Sequence, residues 1–579
     1  MSETEAGRSV IERILQQVDI ASIQDERARE CVRLLLNLVE KLNEELRKAR
    51  AEVVYLREQL HGRKGGGSKP DSPKDTFPPS SRSSEKERAE PSEDKKSTKR
   101  SKLDRISINR EEVRKLDRAT LPADAVFKGY EDVVVQDLVF RTDNVKFRKE
   151  KYYSPSTGKT YLAPLPEGYG GEFGPNLKSL CMLFSYLCNM PEPKIADLLD
   201  NMGILISDGQ ISNLLRSGHE KLQAEKEAIV DAGLRSSPWH HLDDTGTPMN
   251  GSHWHCHVLC NPLYAAYTTT PRKDRQTIID VLRNQRERIY VFNEEAFRLM
   301  GQFKVSQWVM EKLRQITSGK ALSSLAPNGL STPAPPVWSE AEINQHLAEQ
   351  FPHLNATALG HIREAAALAA YHAETGYPVV RLLLCDDAKQ FKLVTDELAL
   401  CWIHDGRHYQ SMEPCVPQHR LLLEVFREKY WNYYRQLRAY QQAPTPEQVA
   451  PLRDQFDSIF STVTGYDVLD QRIGKTKANK ENLLMVLKHP EIPLHNNPAE
   501  LDGRRRVRKR VVSYGPRSEH GIKGWDTMQT VLGTAKKLGV NCFQYIRDRI
   551  GGAGKMPALA DLIHEKAKTL NLRASWAAP

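Results

Sequence analysis

Residues 237–284 read SPWHHLDDTGTPMNGSHWHCHVLCNPLYAAYTTTPRKDRQTIIDVLRN, and this stretch decides the fold. The run WHHLDD is a short apolar strand that ends in acid, the run SHWHCHVLC alternates, and YAAYTTTP is a third strand. The run DRQTIIDVLRNQ that follows has helical spacing of its apolar residues. The stretch therefore predicts an antiparallel meander of three strands followed by a helix.

Two further strands are expected later in the chain. One is PVVRLLLCDDA at 378–388, and the other is LALCWIHDG, which follows a short helix. Residues 286–375 and 416–488 are helix-rich and are expected to be insertions. This order predicts an α/β fold with a ribonuclease-H-like catalytic core over 237–550, followed by a C-terminal tail at 551–579.

Acidic pairs end two of these strands, Asp243-Asp244 and Asp386-Asp387. A carboxylate at the end of a buried strand is held rigidly near the edge of the sheet, where it can bind a metal ion. A single pair of this kind is usually a turn or a helix cap, but two pairs at equivalent strand ends favour a site. Because successive side chains on a strand point to opposite faces, only one member of each pair can face a shared site.

Glu500 is the third candidate acid. In HNNPAELDGR, Asn497 is a good N-cap and Pro498 takes the first helical position. Glu500 then either closes a capping interaction three residues after the cap or gives a third carboxylate to a metal pair. Hard oxygen ligands of this kind suit Mg²⁺ or Mn²⁺.

Three motifs in this order resemble those of the DDE transposases of bacterial insertion sequences, and among them the IS66 class. They are Asp243-Asp244-Thr245, Cys401-Trp402-Ile403-His404, and Asn496-Asn497-Pro498-Ala499-Glu500 followed by Arg504. The resemblance covers residues 180–550. It implies that Asp243, Asp386 and Glu500 are both the catalytic residues and the metal ligands. It also implies a supporting motif made of Cys401, Trp402, His404, Asn496 and Asn497.

The resemblance also implies the reaction. Such an enzyme cuts transposon ends and joins them to target DNA by two-metal-ion hydrolysis and transesterification, with Mg²⁺ as the cofactor and Mn²⁺ as its alternative. Its partners would be double-stranded DNA and accessory proteins of the element. A non-catalytic, domesticated DNA-binding protein and a ribonuclease-H-like nuclease without strand transfer are the other readings. The complete acid triad favours an enzyme, and an oligomerisation segment favours a transposase, because pairing two DNA ends requires a multimer.

The sequence departs from this family in two places. Many members carry a cysteine-rich zinc-binding segment before the catalytic region, but residues 61–180 contain no cysteine, so no zinc module is expected there. The interval between Asp243 and Asp386 is longer than the class needs. Residues 286–375 are therefore predicted to be an extra insertion.

A basic run follows Glu500 directly. Residues 504–510 carry six basic side chains in seven positions, namely Arg504, Arg505, Arg506, Arg508, Lys509 and Arg510. If the helix continues, Arg504 lies one turn after Glu500, so the six side chains are predicted to contact DNA phosphates beside the metal site. A solvated basic face is the alternative.

Residues 30–60 have the heptad spacing of a coiled coil. Leu35, Leu42, Ala49 and Leu56 occupy one seam position, and the other is occupied by Val39, Leu46, Val53 and Leu60. The pattern predicts that residues 1–61 form a helical segment that associates between chains. An amphipathic helix packed on its own domain is the alternative.

Residues 62–104 are almost free of aliphatic and aromatic side chains and are predicted to be a disordered linker. The chain then becomes globular, and residues 105–236 are predicted to form a small DNA-binding region. Alternating patterns at 133–140 and 146–153 predict a small β unit, with a turn at Ser154-Pro155.

The second half of this region predicts helices. One spans 176–188, and two more, at 194–201 and 207–219, flank a turn at Gly203. These lengths and this punctuation are those of a helix-turn-helix that contacts DNA, with a plain helical hairpin as the alternative.

Composition excludes several classes of protein. The chain has 579 residues, 40% of them hydrophobic and 27% charged, and a mild net charge of +9, which fits a globular protein with some disordered sequence. Its nine cysteines are too sparse for a disulfide scaffold, which favours the reducing cytoplasm. The sequence has neither an apolar run of about 18 residues nor a secretion signal, so we expect a cytoplasmic, DNA-associated protein without a membrane anchor.

Overall fold

The computed structural model describes residues 15, 22–62, 106–117, 120–122, 125–323 and 336–576. The predicted linker at 62–104 lies outside the described residues from position 63 onward. Among the helices described, not one combines the length and the apolar character that a membrane crossing requires.

Helix α1 (Glu26–Gly62) covers the predicted coiled-coil segment as one continuous helix. Its Leu36 is buried against Val416, which lies much later in the chain. The Asn37 side chain donates a hydrogen bond to the carbonyl of Gly465 (3.0 Å). Most of the described seam remains exposed, namely Leu35, Leu42, Leu46, Val53 and Leu56. One side of the helix thus packs on its own chain, and association between chains stays a prediction.

A buried carboxylate completes this contact. Glu40 accepts hydrogen bonds from the backbone N–H groups of Val416 (2.8 Å) and Cys415 (3.1 Å), and its Oε1 lies 3.3 Å from Nδ1 of His419. Burial alone would raise the pKa of Glu40. The hydrogen bonds from His419, Val416 and Cys415 together outweigh burial and hold the pKa below its ordinary 4.5.

Strands β1 (Lys151–Ser154) and β2 (Lys159–Leu162) form an antiparallel hairpin. The strand predicted at 133–140 is wrong, because these residues have no regular secondary structure and their apolar side chains are largely exposed. Alternation of apolar and polar side chains is compatible with a strand, but it does not specify a second strand with which the segment could pair. The hairpin forms because its short turn closes two strands locally.

Four helices follow the hairpin, and the second and third are the two helices predicted on either side of Gly203. In order they are α2 (Pro175–Tyr186), α3 (Glu192–Asn201), α4 (Asp208–Lys221) and α5 (Gln223–Ser236). The turn between α3 and α4 contains Gly203 at φ +76°, a conformation that favours glycine. Ser207 caps α4 through a reciprocal capping box with Gln210.

The predicted meander and its helix are confirmed. Strands β3 (Trp239–Gly246), β4 (His255–Cys260) and β5 (Ala265–Thr270) pair antiparallel in chain order, and α6 (Arg275–Leu282) follows. The helix-rich stretch predicted at 286–375 comes next. Outside 324–335, which are not described, it holds a two-stranded sheet and four helices, namely β6 (Tyr290–Val291), α7 (Glu294–Gln302), α8 (Gln307–Ser323), β7 (Val337–Trp338), α9 (Glu340–Gln350) and α10 (Ala356–His372).

Strands β8 (Leu382–Cys385) and β9 (Glu397–Leu400) complete a five-stranded mixed sheet of order β5-β4-β3-β8-β9. Strands β3, β8 and β9 are parallel to one another. A single 3₁₀ turn (Lys389–Phe391) stands where a short helix was predicted. The run LALCWIHDG is a strand only as far as Leu400, because Cys401 is the N-cap of helix α11 (Trp402–Gln410).

The helical insertion predicted at 416–488 is confirmed as helical and packs around one indole. Trp402 is fully buried, and its N–H donates to the carbonyl of Leu483 (2.8 Å). Five aromatic rings lie with centroids 5.4–6.5 Å from it: Tyr430, Tyr433, Tyr434, Phe456 and Phe460. The helices are α12 (Pro417–Gln442), α13 (Pro446–Phe460), α14 (Asp467–Ala478), α15 (Lys480–Leu483) and α16 (Met485–Lys488).

Helices α17 (Asn497–Ser513) and α18 (Glu519–Lys537) pack on the sheet, and α18 covers its β5 edge. Side chains one and two turns apart on α18 accept hydrogen bonds from the N–H groups of β5. The pairs are Thr269 with Asp526 (2.8 Å), Tyr267 with Thr530 (3.0 Å) and Ala265 with Thr534 (3.2 Å). The edge strand is therefore satisfied by side chains and is closed to further strands.

The segment expected as a C-terminal tail is part of the fold. After α19 (Cys542–Ile550), helix α20 (Leu559–Thr569) buries Leu559 and Ile563, four residues apart on one face. The carbonyl of Leu572 then accepts a hydrogen bond from the indole of Trp239 (3.1 Å). The prediction of a tail was wrong, because a short helix that buries only two side chains differs little in amino-acid composition from an exposed segment.

We expect Glu40→Ala to release α1 from the rest of the chain, because Cys415, Val416 and His419 would lose their hydrogen-bond acceptor, at a cost of about 1–3 kcal/mol. Hydrogen exchange of the Cys415 and Val416 amides should accelerate, whereas Glu45→Ala, at an exposed position of the same helix, should leave it unchanged. Because the pKa of Glu40 is lowered on docking, its contribution is complete above pH 4.5 and is lost as pH falls through the lower value. Unchanged exchange in Glu40→Ala would contradict this contact.

Candidate active site

The two acid-ended strands are neighbours inside the sheet and end on the same side of it. Strands β3 and β8 pair in parallel, with Trp239 opposite Leu382 and His241 opposite Leu384. Two residues further on, the same register brings Asp243 level with Asp386. Since paired strands lie about 4.8 Å apart, the two carboxylates are neighbours although 143 residues separate them in the chain.

Asn496 places the third acid beside them. Its side chain donates to the carbonyl of Leu242 (2.9 Å) and meets Nδ1 of His241 (2.9 Å), while its backbone N–H donates to Sγ of Cys401 (3.2 Å). The start of α17 is thus attached to β3 next to Asp243. Glu500, one turn into the helix, is 8% exposed.

The N-cap of α17 is Asn496, one residue before the predicted Asn497. Asn497 is instead the first helical residue and is half-buried. The Asn496 side chain makes no capping hydrogen bond to the first turn of α17. The Glu500 carboxylate contacts Arg407 of α11 (2.9 Å) and lies 3.6 Å from the His404 ring.

Burial and neighbouring carboxylates both shift the pKa values of the two aspartates. Burial, then Asp386, then Glu500 raise the pKa of Asp243 from 3.8 to about 7. Burial also raises the pKa of Asp386; the Ala388 N–H and His404 oppose the rise, and the charge of Asp244 adds to it. Like charges gathered in a buried site favour protonation or a bound cation.

The second member of each acidic pair has partners elsewhere. Asp244 contacts Lys273 (3.2 Å) and Gln390 (2.9 Å). Asp387 contacts Lys392 (2.7 Å) and Asn479 (3.0 Å). These contacts support the choice of Asp243 and Asp386 as the members that face the shared site.

Glu500 also belongs to a second group. Ligand atoms of Cys401, His404 and Glu500 lie within 4.8 Å of one another, and within the described ranges this is the one group of three such side chains that close together. Glu500 is therefore turned toward α11. Burial raises the pKa of the Cys401 thiol to about 11, so this sulfur is protonated at neutral pH.

Arg407 is a site residue that sequence reasoning missed. It lies three residues after His404 on α11, so both side chains project from one face of that helix toward Glu500. Helical spacing counted from the Cys401–His404 motif would have found it, had the segment been read as a helix and not as the continuation of a strand.

The basic run divides between the surface and the interior. Arg504 and Arg508 are exposed, and Arg505 is partly exposed in an ion pair with Asp502 (3.2 Å). Arg510 is bonded to the carbonyl of Gly246, at the end of β3.

The prediction that all six side chains contact DNA is wrong for Arg506 and Lys509. Arg506 is fully buried in an ion pair with Asp526, and Lys509 is buried with its ammonium group on Ser185 (3.1 Å to Oγ). The physical reason is helical periodicity. Because α17 packs against β3 and β4, every third or fourth residue of a continuous basic run must face inward.

The chain matches one protein family and one relative of known sequence. The Transposase IS66 family matches residues 170–292 and 363–524, which contain Asp243, Asp386, Glu500 and the basic run. The unmatched stretch between them falls inside the predicted insertion 286–375. A protein of Sinorhizobium fredii, described as uncharacterized protein y4jO, is 32% identical over 346 residues, covering 58% of this chain and 100% of that protein. No solved structure matches.

We expect Arg506→Ala to destabilise the fold by about 3–5 kcal/mol, because it leaves Asp526 buried without its cation. Exposed Arg508→Ala, two residues along the same helix, should stay within about ±0.5 kcal/mol. Urea denaturation measures both. Equal stabilities would mean that the burial of Arg506 is wrong.

Asp243→Asn should stabilise the metal-free protein at pH 8, on the order of 1–3 kcal/mol. Because the pKa of Asp243 rises on folding, the native state binds more protons and wild-type stability falls as pH rises from about 4 to 7. The gain should therefore shrink toward pH 5. Thermal unfolding in EDTA measures it, with Asp387→Asn as the control that gains nothing. A gain in stability that does not depend on pH would contradict a raised pKa of Asp243 in the folded protein.

Proposed function

The chain belongs to the IS66 family of transposases, and from that premise we propose that Asp243, Asp386 and Glu500 are its catalytic acids. Members of this family are DDE transposases, enzymes that carry out phosphoryl transfer on DNA in transposition. The chain is therefore an enzyme of DNA transposition that binds DNA, and its family uses divalent metal. The proposal concerns which side chains do this work.

One observation carries the assignment. The register of β3 and β8 brings Asp243 level with Asp386, and Asp386 and Glu500 both raise the pKa of Asp243. Two carboxylates from distant parts of the chain therefore act on Asp243, where β3 and β8 end side by side. We also propose that the sheet, with its order β5-β4-β3-β8-β9, is a ribonuclease-H-like core.

The donor set fits a divalent metal. All three groups are carboxylates, the hard oxygen ligands that suit Mg²⁺, with Mn²⁺ as the alternative. Bound metal would supply activation of the attacking hydroxyl and charge stabilisation at the leaving oxygen in strand cleavage and strand transfer. The chain itself positions the acids, through β3, β8 and the start of α17.

Arg407 has the position of a residue that controls Glu500. Its guanidinium lies 2.9 Å from one oxygen of Glu500, on the side of α11. We assign it the role of a positioning residue, which holds Glu500 in place while the site lacks metal. Once Glu500 turns to a metal, the same guanidinium is free for a DNA phosphate nearby.

The remaining parts have consistent roles in this proposal. The α3–α4 pair would contact DNA as a helix-turn-helix, and Arg504 and Arg508 would contact phosphates beside the acids. Helix α1 would join copies of the chain through its exposed seam, as pairing of two transposon ends requires. We further propose that residues 1–61, 105–236 and 237–550 are separate functional units. Accessory proteins encoded by the same element are proposed as further partners.

The test is strand cleavage of a linear duplex that carries the DNA flanking the protein's own gene. Asp386→Asn and Glu500→Gln should each lower cleavage with Mg²⁺ by at least about 10³-fold, because each removes a ligand of the metal pair. Binding of the same duplex in EDTA should persist. Asp387→Asn, the adjacent carboxylate with its own partners, is the matched control and should cleave normally. Cleavage by Asp386→Asn at the wild-type rate would refute the assignment.

A further inference from the structure

The β1–β2 hairpin stands out because both of its faces are exposed. Register pairs Tyr152 with Tyr161 and Tyr153 with Thr160. All three tyrosines are more than half exposed, and so is Leu162. An isolated two-stranded hairpin is marginal in water, and exposed aromatic rings on both faces call for a partner.

The hairpin and its approach are strongly basic. Residues 146–162 contain five Lys or Arg side chains and one Glu, a net charge of +4, whereas the whole chain has +9. Nearly half of the excess positive charge therefore lies in 17 of 579 residues. The basic side chains are all exposed, and they are Lys146, Arg148, Lys149, Lys151 and Lys159.

The base of the hairpin is fixed to the helices behind it. The ring of Phe147 meets that of Tyr169 edge-on at 5.2 Å. Lys178 of α2 donates to the carbonyls of Gly168 (3.2 Å) and Gly170 (2.7 Å). Gly168, at φ +83°, packs so closely on Gly551 that a Cβ would lie 2.7 Å from its Cα. The hairpin therefore projects from a rigid base.

The same loop connects the hairpin to the proposed helix-turn-helix. Glu172 accepts a hydrogen bond from the side chain of Gln210 (2.7 Å), and Gln210 closes the capping box at the start of α4. The hairpin base and the N-terminal end of α4 are thus held by one short segment. A ligand that spans this region would therefore contact both the β1–β2 hairpin and the N-terminal end of α4.

We propose that the β1–β2 hairpin is a DNA-binding arm, which lies in a groove of duplex DNA next to the site of α4. The major groove of B-DNA admits a two-stranded ribbon, and phosphates on both sides of it attract Lys and Arg. The tyrosine side chains would make apolar and hydrogen-bonding contacts inside the groove, between the two rows of phosphates. The inference rests on the chain's action on DNA and is independent of which acids are catalytic.

The other conceivable occupant is a second copy of the chain that adds a strand to the hairpin edge. Charge decides against it, because two hairpins of net charge +4 repel each other, whereas DNA attracts both. The two occupants also differ in their response to salt. DNA binding weakens as salt rises, and pairing of two basic hairpins strengthens.

The test measures binding to a duplex of the gene's flanking DNA in EDTA, where no cleavage occurs. The triple variant Lys149→Ala, Lys151→Ala and Lys159→Ala should weaken binding about 10-fold or more near 0.1 M salt. It should also reduce the slope of log K against log salt by about 2–3, at about 0.9 per phosphate contact. The control Lys429→Ala, Arg435→Ala and Lys475→Ala removes the same charge from exposed positions of α12 and α14. It should leave the slope unchanged.

A second variant, Tyr152→Ser with Tyr161→Ser, should weaken binding with the slope unchanged, since it removes no charge. Equal losses in the basic triple and its control would overturn the proposal. So would a triple variant that binds DNA normally but sediments as a smaller assembly, because the hairpin would then join two copies of the chain. Because these measurements use no metal, they stand apart from any failure of the catalytic assignment, which Asp386→Asn tests by cleavage.

Discussion

The buried side chain of Asn496 joins the start of α17 to strand β3, and the candidate site depends on that junction. Its amide satisfies the Leu242 carbonyl and the His241 ring, and its N–H meets Cys401. An apolar residue there would leave buried polar groups unpaired, at about 1–3 kcal/mol each. Because this amide fixes the start of α17 to β3, Glu500 is carried on a helix that lies beside the two acid-ended strands.

The site this junction builds is electrostatically strained without a cation. Burial raises the pKa of Asp243 most, and repulsion from the charges of Asp386 and Glu500 raises it further. Arg407 relieves part of that repulsion by pairing with Glu500. The protein thus accepts a cost in stability in order to keep three carboxylates ready for a metal, as functional sites often do.

The sequence predicted the parts of this structure that repeat a local rule, and it missed those set by packing partners. The meander and Asp386 followed from alternation and acid-ended strands. The strand at 133–140 did not form, because alternation does not specify a partner. Arg506 was placed on DNA because a basic run does not reveal which side chains face inward. Arg407 was missed because the predicted strand LALCWIHDG, which begins at Leu398, included the first residues of helix α11.

The central claim is that the three acids form one metal site, and a crystal structure grown with Mn²⁺ tests it most directly. The anomalous signal should appear between Asp243, Asp386 and Glu500, with Glu500 turned away from Arg407. Glu500 also lies within 4.8 Å of Cys401 and His404, so the structure offers a competing position. Manganese bound by Cys401, His404 and Glu500, with none at the aspartates, would contradict the account.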